Sequence, residues 1–354
     1  MQANTLMAVP LTFLNSGVTL KEDIYGYDGT RLLVKSGTYL NDEKLGKLKK
    51  LNRGYETIYV TGSTYRELID EMAIARREAL EESTGYADTK QETLTLLDAM
   101  AKHKEVEPKA LVEVSVDLSR QLKTASSSTI FALINALAPV DEYLQRHSLN
   151  TGLMNGLIGR WLELDKDAID RLVLIGLLHD CGKALMPPSI LNAPRKLTIV
   201  EYQVIKAHTV KSYELLGDFP EEVRLAARYH HEKADGTGYP DGLGLNDLPL
   251  EARITAVSDI YDAMVSQRAY KPPRSPFNVM AFLQKLSGPE LDSGLVDLFL
   301  QNMPLELMDK EVMLSDGMMG IVRAFDVADI EYPTVEIGGK LVKTSGALYC
   351  TSMF

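Results

Sequence analysis

Five of the six histidines fall in one 85-residue window: His147, His179, His208, His230 and His231. Each stands on, or at the end of, a segment patterned as a helix. Asp180, directly after His179, and Asp259 further along bring the set to seven imidazoles and carboxylates. Such a set constrains the fold because a chain draws these groups together by laying several helices side by side with their side chains pointing inward, as helical bundles do at metal sites. Imidazole with carboxylate is a ligand mixture suited to borderline transition metals. An adjacent His-Asp pair can serve two ions at once through a bridging carboxylate, and paired metals are a device for hydrolysing phosphate esters.

The periodicities divide the chain into four stretches. Residues 1–62 read as a small α+β module: Val18-Thr19-Leu20 and Leu32-Leu33-Val34 flank a turn at Asp28-Gly29, a hairpin signal. A short helix is predicted over Asp42–Leu51, and a strand over Glu56–Val60 that ends at Gly62. Residues 63–128 read as a helical linker with a stripe at Leu68, Ile69 and Met72 and a helix opened by Pro108 that carries Leu111, Val114, Leu118 and Leu122. Residues 124–129, TASSST, read as a turn or hinge.

Residues 129–302 are helical throughout. Asp141 can cap the helix of His147, a helix from Lys166 ends near His179-Asp180, and Thr198 with Glu201 makes a capping box before His208. Pro220 opens the helix that ends in His230-His231, and Pro249 precedes the helix of Asp259. Residues 303–354 turn to β, with strands at Gly320-Ile321-Val322, Thr334–Ile337 and Leu341-Val342 and a hairpin turn at Gly338-Gly339. The expected fold is mainly α: a helical bundle between a small N-terminal α+β module and a small C-terminal β appendage.

The 354 residues suffice for two or three domains, and the formal charge of -11 argues against binding a nucleic acid polymer, which needs a basic face. Cys181 and Cys350 allow one bridge at most, and a reducing compartment is the simpler reading. The first residues lack the basic start and apolar run of a signal peptide, and the longest apolar stretch, Ile130 to Val140, is too short for a membrane span. The expected location is the cytoplasm.

Two segments carry a resemblance. His179-Asp180-Cys181-Gly182-Lys183 resembles the HD signature of metal-dependent phosphohydrolases, and His230-His231-Glu232 through Asp235-Gly236-Thr237-Gly238-Tyr239-Pro240 resembles an HHE…DGxGYP signature. Pro188–Asn192, Ala252-Arg253-Ile254, Asp259–Ala263 and Arg268-Ala269-Tyr270-Lys271 follow in matching order. Over 129–302, about half the chain, the sequence resembles the HD-GYP family, which hydrolyses the bacterial second messenger cyclic di-GMP.

The resemblance implies metal ligands at His147, His179, Asp180, His208, His230, His231 and Asp259, with Asp180 bridging. It implies a dinuclear site of two divalent transition metals, iron or manganese before zinc. Some members add a third metal through a glutamate four residues before the first histidine. Tyr143 stands there, with Glu142 one residue earlier, so two ions are expected. Ser258 replaces the usual alanine. Lys183, Gly238, Tyr239, Pro240, Arg268 and Lys271 are the substrate-contact candidates, the last two as phosphate ligands.

The implied reaction is attack by a metal-bridged hydroxide on a phosphodiester of cyclic di-GMP, giving pGpG and, by a second cut, GMP. Asp180 and Lys183 are the catalytic candidates. Lys183 serves either as the proton donor to the leaving oxygen or as a charge. Alternatives are a slow cyclic di-GMP receptor that signals through protein contacts, and an HD hydrolase of another nucleotide. A homodimer or a signalling protein is the compatible macromolecular partner.

Taken singly, the residues carry blander readings. A lone helical histidine is more often a satisfied core or surface residue, the glycines of DGTGYP suit a plain turn, and Arg268 and Lys271 suit a solvated surface. His103 reads as surface and Trp161 as core.

Overall fold

The structure, a computed structural model, describes residues 6–10, 18–20, 23–25, 31–51, 57–61, 86–103, 107–125, 129–130, 134, 143–193, 195–266 and 274–353. The N-terminal module contains β1 (Leu6–Pro10), β2 (Val18–Thr19), β3 (Ile24–Tyr25), β4 (Leu32–Val34), β5 (Tyr39–Leu40), α1 (Asp42–Leu51) and β6 (Thr57–Thr61). A four-stranded antiparallel sheet has the order β1-β6-β3-β4, while β2 and β5 form a separate ribbon.

This corrects the expected hairpin. Leu32–Val34 pairs with Ile24–Tyr25, and Val18–Thr19 pairs with Tyr39–Leu40. Two-residue strands such as β3 are too short to show alternation, so the strand beside the turn was not legible. Asp28-Gly29 lies outside the described residues, as do Gly62, the 68–72 stripe and Asp141. The helix α1 starts where Asn41 caps it, its Oδ1 accepting the Lys44 N–H at 2.9 Å, with Asp42 and Glu43 in the first turn.

The helices continue as α2 (Tyr86–His103), α3 (Pro108–Thr124), α4 (Tyr143–Trp161), α5 (Lys166–Leu178), α6 (Pro188–Leu191), α7 (Ile199–Lys206), α8 (His208–Leu215), α9 (Glu221–Tyr229), α10 (Leu250–Val265), α11 (Pro276–Leu286) and α12 (Ser293–Glu306). The caps explain several starts. Asp165 accepts the Ala168 N–H at 2.8 Å before α5, and Thr198 and Glu201 form the reciprocal capping box before α7. Leu111, Val114, Leu118 and Leu122 of α3 are all buried. His103 is exposed at the end of α2, and Trp161 packs edge-on against Phe299. Among the described residues no helix is long and apolar enough to cross a membrane.

Packing of α4 on α5 sets the position of the site. The two helices form an antiparallel hairpin over a short turn in which Glu163 has φ 56°. Their backbones touch: a Cβ on Gly176 would lie 2.4 Å from Gly152 Cα. The first turns of α4, with His147, therefore lie beside the end of α5, with His179.

The C-terminal strands β7 (Glu311–Leu314), β8 (Met319–Ala324), β9 (Thr334–Ile337), β10 (Lys340–Lys343) and β11 (Cys350–Met353) form an antiparallel sheet of order β10-β9-β8-β7-β11. Gly338 and Gly339, at φ 55° and 79°, make the tight turn that only two left-handed residues allow. Val312, Leu314, Val322 and Val335 join the helices in one continuous apolar cluster, so the sheet shares the bundle's core. The chain is mainly α, a helical bundle with a small α+β module before it and a small β sheet after it.

Candidate metal centre

The seven histidines and aspartates converge from five places: α4 (His147), the end of α5 (His179, Asp180), the start of α8 (His208), the end of α9 (His230, His231) and α10 (Asp259). They form two groups, Asp180 with His208, His230 and His231, and His147 with His179 and Asp259; within each, the potential ligand atoms lie within 4.8 Å of one another. Asp180 stands between the groups. Its Oδ2 is 3.3 Å from His179 Nε2 and 3.6 Å from His147 Nε2, while its Oδ1 is 3.2 Å from His208 Nε2 and 3.7 Å from His230 Nε2. One carboxylate oxygen faces each group.

Backbone carbonyls fix the histidine tautomers. Nδ1 of His179 lies 2.8 Å from Gly176 O, Nδ1 of His208 2.6 Å from Ile205 O, and Nδ1 of His230 2.9 Å from Ala227 O. These carbonyls sit in the last turns of α5, α7 and α9, where helix geometry leaves them without a partner in the same helix. A carbonyl only accepts, so each Nδ1 donates and each Nε2 points its lone pair at the centre. Nε2 of His179, His208 and His230 and Oδ1 of Asp180 are buried with no hydrogen-bond partner among the described residues. Acceptors facing acceptors at 3.2–3.7 Å repel unless a cation sits between them. The donor set therefore fits a divalent metal.

The charges are set for the same purpose. Burial would raise the Asp180 carboxyl, but the Lys183 ammonium beside it holds it well below the usual carboxylate range. Against the same burial, His147 holds Asp259 well below that range. Burial would lower His147, but hydrogen bonds to Asp259 and Asp262 lift it to about 9. Burial pushes His230 down to about 4, and burial with the neighbouring His230 pushes His231 well below its ordinary value. Burial thus disfavours the charged forms of His230 and His231, while the two aspartates favour that of His147.

An HD domain family model matches residues 132–295. The matched span contains all seven of these residues. Over this span the chain is similar to the HD-domain family, and its HD and HHE…DGxGYP motifs resemble the HD-GYP branch. The chain is 40% identical over 150 residues to the cyclic di-GMP phosphodiesterase response regulator RpfG of Xanthomonas campestris pv. campestris, covering 41% of this chain and 40% of that protein. It is 29% identical over 192 residues to the 3'3'-cGAMP-specific phosphodiesterase 2 of Vibrio cholerae, covering 53% of this chain and 37% of that protein. The chain therefore spans less than half the length of these relatives. In fold it is like Bd1817, an HDG"Y"P protein from Bdellovibrio bacteriovorus, with a TM-score of 0.52 and 15% identity over 85% of this chain and 100% of that one. HD domains bind divalent metal, and the His/Asp cluster of this segment has the chemistry to do so.

Asp262 and Asn150, which the motifs do not single out, support the candidate metal centre. Asp259 and Asp262 are three apart on α10, and His147 and Asn150 three apart on α4, so each pair shares a helix face. Fully buried Asp262 accepts from His147 Nδ1 at 2.7 Å, from Asn150 Nδ2 at 2.8 Å and from Ser266 Oγ at 2.9 Å. A carboxylate behind a ligating imidazole fixes its ring and raises its basicity. Asp262→Asn should weaken metal binding by about 10- to 100-fold, read by competition against a chromophoric chelator. Unchanged affinity would remove Asp262 from the centre.

Glu232, the E of HHE, ties down the loop after the GYP motif. Buried beside His231, it accepts the backbone N–H groups of Asp241, Gly242 and Leu243 at 2.6, 2.9 and 3.1 Å. Arg228 grips Asp241 through two hydrogen bonds of 3.0 Å. Gly238 is pressed on the same segment, since a Cβ there would lie 2.4 Å from Glu232 Cα and Lys233 N. Asp235 accepts from the Thr237 N–H at 2.9 Å and its hydroxyl at 2.7 Å beside Gly236 at φ 75°, so the DGTG run is a turn. Glu232→Ala leaves three backbone donors unmatched and should cost about 2 kcal/mol or more, seen as faster amide exchange at 241–243. Exchange equal to the parent's would show that Glu232 does not hold the loop.

Among the substrate-contact candidates, Tyr239 tilts against His231 with ring centroids 4.9 Å apart, and Pro240 follows it in the half-buried rim. Lys183 lies on the turn after Asp180 and donates to its Oδ2. Arg268, Lys271 and Glu142 lie outside the described residues, and nothing of Tyr143 is described beyond its place at the start of α4.

Proposed function

We propose that residues 129–302 form a two-metal phosphodiesterase that opens cyclic di-GMP to pGpG, with GMP as the product of a second cut. The observation that carries this reading is the position of Asp180, with one oxygen turned to each ligand group. Similarity to RpfG supports cyclic di-GMP as the substrate. Imidazoles and carboxylates without thiolate suit iron, manganese or zinc, and iron or manganese is favoured.

His147, His179 and Asp259 would hold one ion and His208, His230 and His231 the other, with Asp180 shared. When bound, the ions supply positive charge against the phosphate and lower the pKa of water. The protein's residues do the rest. The carbonyl-locked imidazoles keep their lone pairs aimed before any ion arrives, so no reorientation is needed during turnover. Lys183 keeps an ammonium against Asp180, where it can neutralise a phosphate oxygen or hand a proton to the departing 3′-oxygen. The Glu232-anchored loop presents Tyr239 beside His231. Both cysteines are free thiols, in keeping with a reducing compartment such as the cytoplasm.

The likeness to a cGAMP-specific enzyme favours a second reading, hydrolysis of another cyclic dinucleotide by the same residues. One experiment addresses both. Protein reconstituted anaerobically with Fe(II) or Mn(II) is incubated with cyclic di-GMP and 3'3'-cGAMP, and products are separated chromatographically beside the double variant His179→Ala/Asp180→Ala. Linear products from cyclic di-GMP with the parent alone are expected. Cleavage of cGAMP only would replace the substrate, and no turnover of either by metal-loaded protein would overturn the enzymatic reading.

A further inference from the structure

Lys206 closes α7, two residues before His208, and its ammonium rests between two aromatic rings. Its Nζ lies 4.8 Å from the centroid of Tyr239 and 5.1 Å from that of Tyr202. Tyr202 is four residues earlier on the same helix, the spacing that stacks side chains on one face. Tyr202 is 47% exposed and Lys206 half-buried. Among the described residues no carboxylate or carbonyl pairs with the Lys206 ammonium, although other lysines here, such as Lys183, Lys211 and Lys233, have acidic partners. Ring faces hold a cation without neutralising it, so its three donors remain available to an anion.

The location suggests which anion. Tyr239 contacts both Lys206 and His231, so Lys206 is one ring away from the candidate metal centre. The centre handles a single phosphodiester. A cyclic dinucleotide carries two, separated by one nucleoside, and the second needs a cation outside the first site.

We propose that Lys206 binds the phosphodiester that is not being cut, and that Tyr202 and Tyr239 position its ammonium. This rests on the cyclic-dinucleotide reading of the same site. The subsite selects substrates with two phosphates over those with one. It also favours the cyclic compound over a mononucleotide ester, while contributing nothing to bond breaking.

The test is a comparison of substrates. Lys206→Met keeps the packed stem and removes the charge; Lys206→Arg keeps the charge. With metal-loaded protein, Lys206→Met should raise the KM for cyclic di-GMP by about 10- to 100-fold with kcat nearly unchanged, and Lys206→Arg should restore most of it. Hydrolysis of bis(p-nitrophenyl) phosphate, which has one phosphate, should not change. Tyr202→Ala should raise the same KM less, and Tyr202→Phe should not.

An unchanged KM for cyclic di-GMP, or an equal loss on both substrates, would overturn the proposal. If the parent protein cuts no cyclic dinucleotide, the functional reading fails first, and Lys206 is judged by equilibrium binding of cyclic di-GMP. Weaker binding to Lys206→Met then supports the subsite; equal binding, or none by the parent, overturns it.

Discussion

Asp180→Ala should leave the protein with neither metal and reduce phosphodiester turnover by at least about 1000-fold. The expectation follows from the carboxylate's position, with Oδ2 beside His179 and His147 and Oδ1 beside His208 and His230. Removing it takes one oxygen ligand from each group and the negative charge that offsets two cations. It also leaves Lys183, whose ammonium donates to Asp180, next to the vacated position, where its charge repels a metal. His208→Ala removes one nitrogen from one group and should retain about one ion. Metal content after Mn(II) loading and dialysis, measured by mass spectrometry, distinguishes the two variants. Two retained ions and turnover within tenfold of the parent in Asp180→Ala would show that the carboxylate is not shared.

The second large effect is expected at a residue with no side chain. Gly182 is buried against α8: its N–H donates to Ser212 Oγ at 2.8 Å, and a Cβ would lie 2.1 Å from the His208 carbonyl oxygen and 2.5 Å from Ser212 N. The two nearest atoms met are backbone, so no rotamer change relieves the clash, and α8 must move. His208 opens that helix, so displacement carries its Nε2 away from Asp180. Gly182→Ala should cost about 3 kcal/mol, lowering Tm by about 6–12 °C, and should weaken metal binding as well. Gly217→Ala is the control, since its nearest contact would be a carbonyl at an ordinary 3.6 Å. A Gly182→Ala protein with the parent's Tm and metal content would mean that the turn after Asp180 is free to give.

The seven metal-site candidates were legible because their chemistry is carried by the residue type and their spacing by helices that caps and prolines delimit: Thr198 with Glu201, Pro220 and Pro249 each mark a start that the structure places within a residue. What fixes those side chains was not legible. The acceptors for His179, His208 and His230 are main-chain carbonyls, which look the same at every position in a sequence. Asp262 gave a faint signal, three residues after Asp259 on one helix face, and Glu232 gave none beyond its place in a motif. Strand partners were the least legible. β1, β3, β7 and β11 run two to five residues, and their pairing is decided by distant contacts rather than local pattern.

The most direct measurement is anomalous X-ray diffraction from crystals of the Mn(II)-reconstituted protein. Two peaks are expected flanking Asp180, about 3.5–4 Å apart, one among His147, His179 and Asp259 and the other among His208, His230 and His231. A single peak, or two that leave Asp180 touching only one ion, would contradict the two-metal centre on which the proposed chemistry depends.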